Sequence, residues 1–288
     1  MGIKGIWLPI ITPFKDDEID LKSYKKMIDH YIGLGIDGLM PVGTTGESPT
    51  ISDDEYTQML EATMEYVNGR VPVYFGFGGN YTNKLTRKLR ELENSGISGI
   101  LSVSPYYSRP DQRGIHEHFK RISEATDLDI VLYNIPYRTG RNMENETILR
   151  LAEMPNINSI KDACGDIKQS LELLHNRPKD FSIMTGEDAF FYITLVYGGQ
   201  GGIMASAHMR TDDFRKVFNC VAANDHKAAL ETWEQLSSFI PLLFAEPNPS
   251  PIKYCLSRMN LIDSAETRLP IMPITETLAG KLNNTFNF

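Results

Sequence analysis

Residues 33–43 read GLGIDGLMPVG and residues 94–105 read NSGISGILSVSP. Both pass from the end of a helical pattern, through Gly-x-x-Gly, into a short apolar run. The stretch GGQGGIMAS at 198–206 does something similar. Glycine suits the left-handed stop of a helix and a tight entry into the next strand. A helix-to-strand junction echoed along a chain points to βα repeats.

Working outward, strand candidates fall at 3–11, 38–43, 72–77, 99–104, 129–135, 157–162, 181–185 and 201–206. Each is rich in Ile, Val, Leu or aromatic residues and bounded by Gly, Pro, Asn or Asp. Helical patterns lie between them at 21–34, 52–68, 82–95, 112–126, 144–153, 167–175, 188–197 and 210–223. In the first, Leu21, Tyr24, Met27, Ile28, Tyr31 and Ile32 recur at helical spacing. The second opens on SDDE, a capping box with Ser52 as cap and Glu55 three residues on. Eight strands alternating with eight helices predict a closed (β/α)8 TIM barrel over residues 1–224. An open Rossmann sheet more often has fewer strands and a Gly-rich first turn. Beyond about residue 224 the strands stop. Helical patterns at 225–244, 250–259 and 274–284, punctuated by EPNPSP and RLPIMP, predict a C-terminal helical appendage over 225–288.

The 288 residues carry a net charge of −8, which argues against a nucleic-acid partner. No apolar stretch approaches membrane-spanning length. The N-terminal MGIKGIWLPIITPF has neither the order of a signal peptide nor a myristoylation signal, since Ile6 stands at the Ser/Thr position. Cys164, Cys220 and Cys255 are odd in number and far apart, as in a protein of the reducing cytoplasm. A cytoplasmic protein without a membrane partner is the expectation.

In a (β/α)8 barrel, chemistry sits where strands end. The second strand ends in GTTGE (43–47), whose backbone N–H groups and hydroxyls could receive an anion. It has no Walker A lysine, and by itself it reads as an ordinary glycine-rich turn. The fifth ends in YNIPYRTG (133–140), delivering Tyr133 and Arg138. Arg138 suits a bidentate carboxylate contact or, equally, a surface ion pair. The sixth ends in IKDACG (160–165). Lys161, desolvated in a barrel mouth, would have a lowered pKa and a neutral amine able to attack a carbonyl. Alone, it reads more simply as a strand-end lysine reaching water or a carboxylate. Asp162, on the opposite side by strand alternation, reads as structural.

Other chemistries are poorly supported. HEH at 116–118 puts its histidines two apart, off a common helix face, and no HExxH exists, so no metal site is expected. GFGGNYT (76–82) has Tyr81 where a dinucleotide fingerprint needs its last glycine, and no GxSxG elbow occurs.

Taken together, GTTGE, YNIPYRTG and IKDACG, each at a strand end, resemble the dihydrodipicolinate synthase/N-acetylneuraminate lyase family of class I aldolases. The likeness extends to ITPF (11–14), SPYY (104–107), EPNPSPIK (246–253) and RLPIMPIT (268–275), nearly the whole chain. SPYY, Arg138 and EPNP favour its dihydrodipicolinate synthase subgroup. The resemblance implies a Schiff base between Lys161 and pyruvate, whose enamine attacks aspartate semialdehyde in lysine and diaminopimelate biosynthesis. It gives Tyr133 proton transfer, with Thr44 linking it to Tyr107 of a neighbouring subunit. Thr44 and Thr45 would hold pyruvate's carboxylate, and Arg138 would bind the second substrate's carboxylate and steady Tyr133. Gly186 and the carbonyl of Ile203 would line the pocket. No metal or organic cofactor is implied, and a homotetramer built from two dimers is.

Three departures stand out. Tyr137 occupies a position where the family has a small residue, and Glu187 stands where it has Asp. The lysine-binding cleft of inhibited members is matched at Ser48, Asn80 and Tyr106. Lys84, however, stands where those members carry a glutamate, and Asp53 and Tyr56 where they often carry histidines. A cation at Lys84 repels lysine, so inhibition is expected to be weak or absent. The nearest rival reading is a pyruvate-forming lyase of 2-keto-3-deoxy sugar acids or sialic acid. A non-catalytic ligand-binding barrel is the rival from another class.

Overall fold

The computed structural model describes residues 2–288. Eight short strands form one parallel sheet: Gly5–Leu8, Gly38–Leu39, Tyr74–Gly76, Gly99–Val103, Asp129–Asn134, Ile157–Asp162, Ser182–Thr185 and Gly201–Ile203. Each falls inside a predicted strand. Consecutive strands from the third to the eighth are neighbours, and the first lies between the eighth and the second. With helices following the strands throughout, this is a (β/α)8 barrel. Parallel strands covered on both faces read as unbroken apolar runs, which is why short apolar runs bounded by Gly, Pro, Asn or Asp located them.

The echoed glycines have two separate reasons to exist. Gly35 and Gly96 take φ of +76° and +83°, the left-handed helix stop. Gly38 and Gly99 instead give up their side-chain space to neighbours. A Cβ on Gly38 would meet the Trp7 ring at 2.3 Å, and one on Gly99 would meet the carbonyl of Asp129 at 2.4 Å.

Helices occupy Leu21–Gly33, Asp53–Val67, Thr82–Leu92, Gln112–Ser123, Asn145–Leu151, Ile167–Asn176, Phe191–Val196 and Thr211–Ala222, then His226–Leu243, Ser250–Arg258 and Glu276–Phe286. The capping box forms as read: the Ser52 side chain accepts from Glu55 N, and the Glu55 carboxylate accepts from Ser52 N. Three local differences have plain causes. The expected strand at 38–43 stops at Leu39, because Pro41 offers no donor and Val42 turns to a φ of +54°. The expected helix at 188–197 opens as a 3-10 turn, Asp188–Phe190. A two-residue hairpin, Phe14–Lys15 with Glu18–Ile19, turns on Asp16 and Asp17 at positive φ and is too short for any periodicity to reveal.

The chain divides into two compact units: the N-terminal residues through Gly5 with Pro72–Ile203, and Ile6–Val71 with Met204–Phe288. In the first, the strands Asp129–Asn134 and Ile157–Asp162 pair in register, with Tyr133 opposite Lys161. In the second, the segment between the helices Ser250–Arg258 and Glu276–Phe286 is bonded to the hairpin and the first two helices. Asp263 N donates to Ser23 Oγ, Phe14 bridges to Glu266, and Arg268 pairs with Glu55.

Candidate active site

Lys161 and Tyr133 are cross-strand partners in a parallel sheet, so their side chains leave the same face. The Lys161 Nζ lies 4.4 Å from the centre of the Tyr133 ring. Both residues are buried. Among the described residues Lys161 has no carboxylate within ion-pair distance. Burial pushes its amine down to about 8, against a partial pull upward from Asp188, while Arg138 pushes it further down. The ring face of Tyr133 favours a cation but removes no charge. What results is an amine much readier to be neutral than an ordinary lysine.

Gly186 acts through the space it leaves. A Cβ there would meet Lys161 Cγ at 2.7 Å and Cε at 2.8 Å, so the glycine is a slot for the lysine stem. Its own N–H donates to the carbonyl of Asp162 at 2.6 Å. Asp162, one residue past Lys161 and on the other face, accepts from the Ser170 hydroxyl at 2.6 Å and from Cys164 N at 3.2 Å. That is the structural part alternation assigned to it.

Arg138 sits on a one-turn helix, Pro136–Thr139, stopped by Gly140 at φ +73°. Its Nε donates to the Tyr137 hydroxyl at 2.8 Å, and its guanidinium lies 5.1 Å from that ring. The large residue at 137 thus holds the arginine. Glu187 is half-buried and its carboxyl is pushed up by desolvation, and Asp188 beside it is buried. Tyr107 takes a φ of +64° and is 93% exposed. Tyr106 N donates to Asn80 Oδ1 at 2.9 Å, which brings two of the expected cleft residues together, and Lys84 lies in the first turn of the helix Thr82–Leu92. Ile203 closes the eighth strand, fully buried.

In the second unit, Thr44 is half-buried and Thr45 buried within the turn after Gly38–Leu39. Thr45 Oγ1 accepts from Asn248 Nδ2 at 3.0 Å, and Thr12 Oγ1 donates to the carbonyl of Gly46 at 2.8 Å. Ser48 begins a 3-10 turn, Ser48–Thr50. Sequence reasoning did not single out Asn248, Glu47, Lys253 or Asp188. Glu47 lies in GTTGE, and Asn248 and Lys253 in EPNPSPIK, which was read for likeness and not for contacts; Asp188 directly follows Gly186 and Glu187.

Among the described residues no group of His, Cys, Asp and Glu is placed to hold a metal ion, and no helix is long and apolar enough to cross a membrane.

A model of the Dihydrodipicolinate synthetase family matches residues 2–287. The 4-hydroxy-tetrahydrodipicolinate synthase 2 of Clostridium acetobutylicum is 61% identical over 283 residues, covering 98% of this chain and 99% of that one. Among solved structures, a monomeric dihydrodipicolinate synthase variant superposes with a TM-score of 0.96 at 35% identity, covering 99% of this chain and 96% of the other. The chloride-inhibited dihydrodipicolinate synthase of Acinetobacter baumannii, solved with pyruvate, gives 0.95 at 34% identity over 99% and 98%. With a matching family model over nearly its whole length, the chain belongs to the dihydrodipicolinate synthetase family.

Proposed function

We propose that the chain condenses pyruvate with L-aspartate 4-semialdehyde to 4-hydroxy-tetrahydrodipicolinate, in lysine and diaminopimelate biosynthesis. The observation that carries this reading is the buried Lys161 amine, set over the Tyr133 ring and pushed down to about 8. The relatives named 4-hydroxy-tetrahydrodipicolinate synthase, and a close structural neighbour solved with pyruvate, support the substrates.

The neutral amine attacks the ketone carbon of pyruvate, and loss of water leaves an iminium on Lys161. The iminium takes up the electrons released when a methyl proton leaves, so the reading calls for no metal or organic cofactor. The resulting enamine carbon attacks the aldehyde, whose oxygen takes a proton. The semialdehyde's own amine then displaces Lys161 from the former ketone carbon, which closes the ring and restores the free lysine. Tyr133 moves the protons, with Thr44 and a neighbouring subunit's Tyr107 as its relay. Thr44 and Thr45 receive pyruvate's carboxylate, Arg138 that of the semialdehyde, and Gly186 and Ile203 shape the pocket. The 93% exposure of Tyr107 supports a role toward a second copy of the chain, in a homotetramer. Free cysteines at 164, 220 and 255 support a cytoplasmic setting.

The test is turnover with pyruvate and either aspartate semialdehyde or a sugar aldehyde. Turnover with the semialdehyde alone is expected. Preference for a sugar aldehyde would retain the aldolase chemistry and overturn the assignment of the second substrate.

A further inference from the structure

The turn that bears Thr44 and Thr45 is held in an unfavourable shape. Val42 has a φ of +54°, and among the described residues it is the only β-branched one at positive φ. Glu47, at the other end, is also at +54°. Side chains resist this region, and residues held there persist only where their surroundings over-determine them. The turn is tight as well, since a Cβ on Gly46 would meet Val42 N at 2.9 Å.

What holds it comes from far along the chain. Glu47 is 1% exposed, and its Oε1 lies 2.5 Å from the Nζ of Lys253, an ion pair with both side chains fully buried. Its Oε2 accepts from Arg268 N at 3.0 Å. Lys253 also donates to the carbonyl of Glu266 at 2.7 Å and lies over the Phe14 ring at 4.2 Å. Asn248 reaches the turn from the segment just before Lys253, donating to Thr45 Oγ1. A hydroxyl has one hydrogen to give and two lone pairs to receive with. With a lone pair of Thr45 taken by Asn248, the hydroxyl hydrogen is left to be given elsewhere, and a carboxylate is the acceptor that suits it.

We propose that the Glu47–Lys253 ion pair and Asn248 are positioning residues for the pyruvate carboxylate: they hold the strained Val42–Glu47 turn so that Thr45 presents its hydroxyl hydrogen to the ligand. This rests on the pyruvate reading above. The pair replaces contacts the turn cannot make within itself, and Asn248 sets the direction of the hydrogen bond. The helical region after residue 225 thereby takes part in substrate binding without touching substrate.

The test uses pyruvate alone, trapped on Lys161 by borohydride, with the pyruvate concentration for half-maximal trapping and the rate at saturation as separate readouts. Wild-type protein, Asn248→Ala and the double variant Glu47→Gln with Lys253→Met are compared. The double variant keeps similar volume and removes both buried charges together, the change buried pairs tolerate best. Each variant is expected to raise the half-saturating pyruvate concentration about tenfold, while the saturated rate stays within about threefold. If Asn248→Ala leaves half-saturation unchanged, or lowers only the saturated rate, the proposal is overturned, and Asn248→Ala decides even where the double variant does not fold. A wild type that traps no pyruvate would sink the functional reading instead.

Discussion

Among the described residues two lysines are buried, and they solve the same physical problem in opposite ways. Lys161 and Lys253 each lie over an aromatic ring, at 4.4 Å from Tyr133 and 4.2 Å from Phe14, and burial pushes both amines down to about 8. Lys253 is enclosed completely and answered by Glu47 at 2.5 Å and a backbone carbonyl at 2.7 Å. For Lys161 the largest favourable charge is the more distant Asp188, opposed by Arg138. The two amines are pushed down alike, but the Lys253 Nζ is committed to a carboxylate and a carbonyl and serves as a structural tie. Among the described residues the Lys161 Nζ has no carboxylate within ion-pair distance and is left open to attack a carbonyl. What each amine is bonded to, and not its depth of burial, separates the proposed nucleophile from the anchor.

The same substitution at the two sites tests this most strongly. Lys161→Met is expected to cut turnover at least about 1,000-fold, since no other group can carry the iminium. It should also stabilise the fold at neutral pH by up to about 3 kcal/mol, because an unanswered buried cation is removed. The sign follows from the titration. The folded amine, at about 8, lies below its unfolded value of 10.5, so below pH 8 the unfolded chain binds the extra proton more readily and Lys161 destabilises the fold. That burden fades as pH rises from about 8 to 10.5, and the stability difference between variant and wild type should fade with it. Thermal denaturation at pH 7 and pH 10 reads both. Lys253→Met should do the reverse and destabilise by about 3–5 kcal/mol, because Glu47 is left buried without its partner. Equal signs at the two positions would dissolve the contrast.

Gly186→Ala sharpens it on the Lys161 side. The new methyl collides with the lysine stem, so trapping of pyruvate should slow about 100-fold while circular dichroism is unchanged. The pH dependence of trapping is a gentler test. At pH 7.4 about a fifth of an amine titrating near 8 is neutral, against about a thousandth of an ordinary lysine. The trapping rate should therefore climb to a plateau just above pH 8, and a climb continuing to pH 10 would mean that the amine is not perturbed. The smallest effect expected is that of added lysine. With a cation at Lys84 where the resemblance puts a glutamate, added lysine is expected to be repelled, and inhibition should stay below half at about 1 mM lysine. Half-inhibition at lower concentrations would contradict this.

Much of the fold was legible because amphipathic helices write their period into the chain and covered parallel strands stand out as short apolar runs between turn residues. The Gly-x-x-Gly echo was legible too, but the contacts that require its second glycine were not. Gly38 and Gly99 are set by the Trp7 ring and the Asp129 carbonyl, contacts that no local pattern announces. The pairing of Tyr133 with Lys161 follows once two strand ends are aligned. Arg138 was placed by motif, yet its engagement by Tyr137 needed coordinates: the tyrosine that stands where the family has a small residue is the arginine's hydrogen-bond partner. Least legible was the support of the Thr44–Thr45 turn. Asn248 lies 203 residues from Thr45, and a glutamate at positive φ paired with a buried lysine leaves no periodic trace.

The most direct measurement is to incubate the protein with pyruvate, reduce with borohydride and map the modified peptides by mass spectrometry. The account predicts a pyruvyl adduct on Lys161 and none on Lys253. An adduct on Lys253, or on neither lysine, would contradict it.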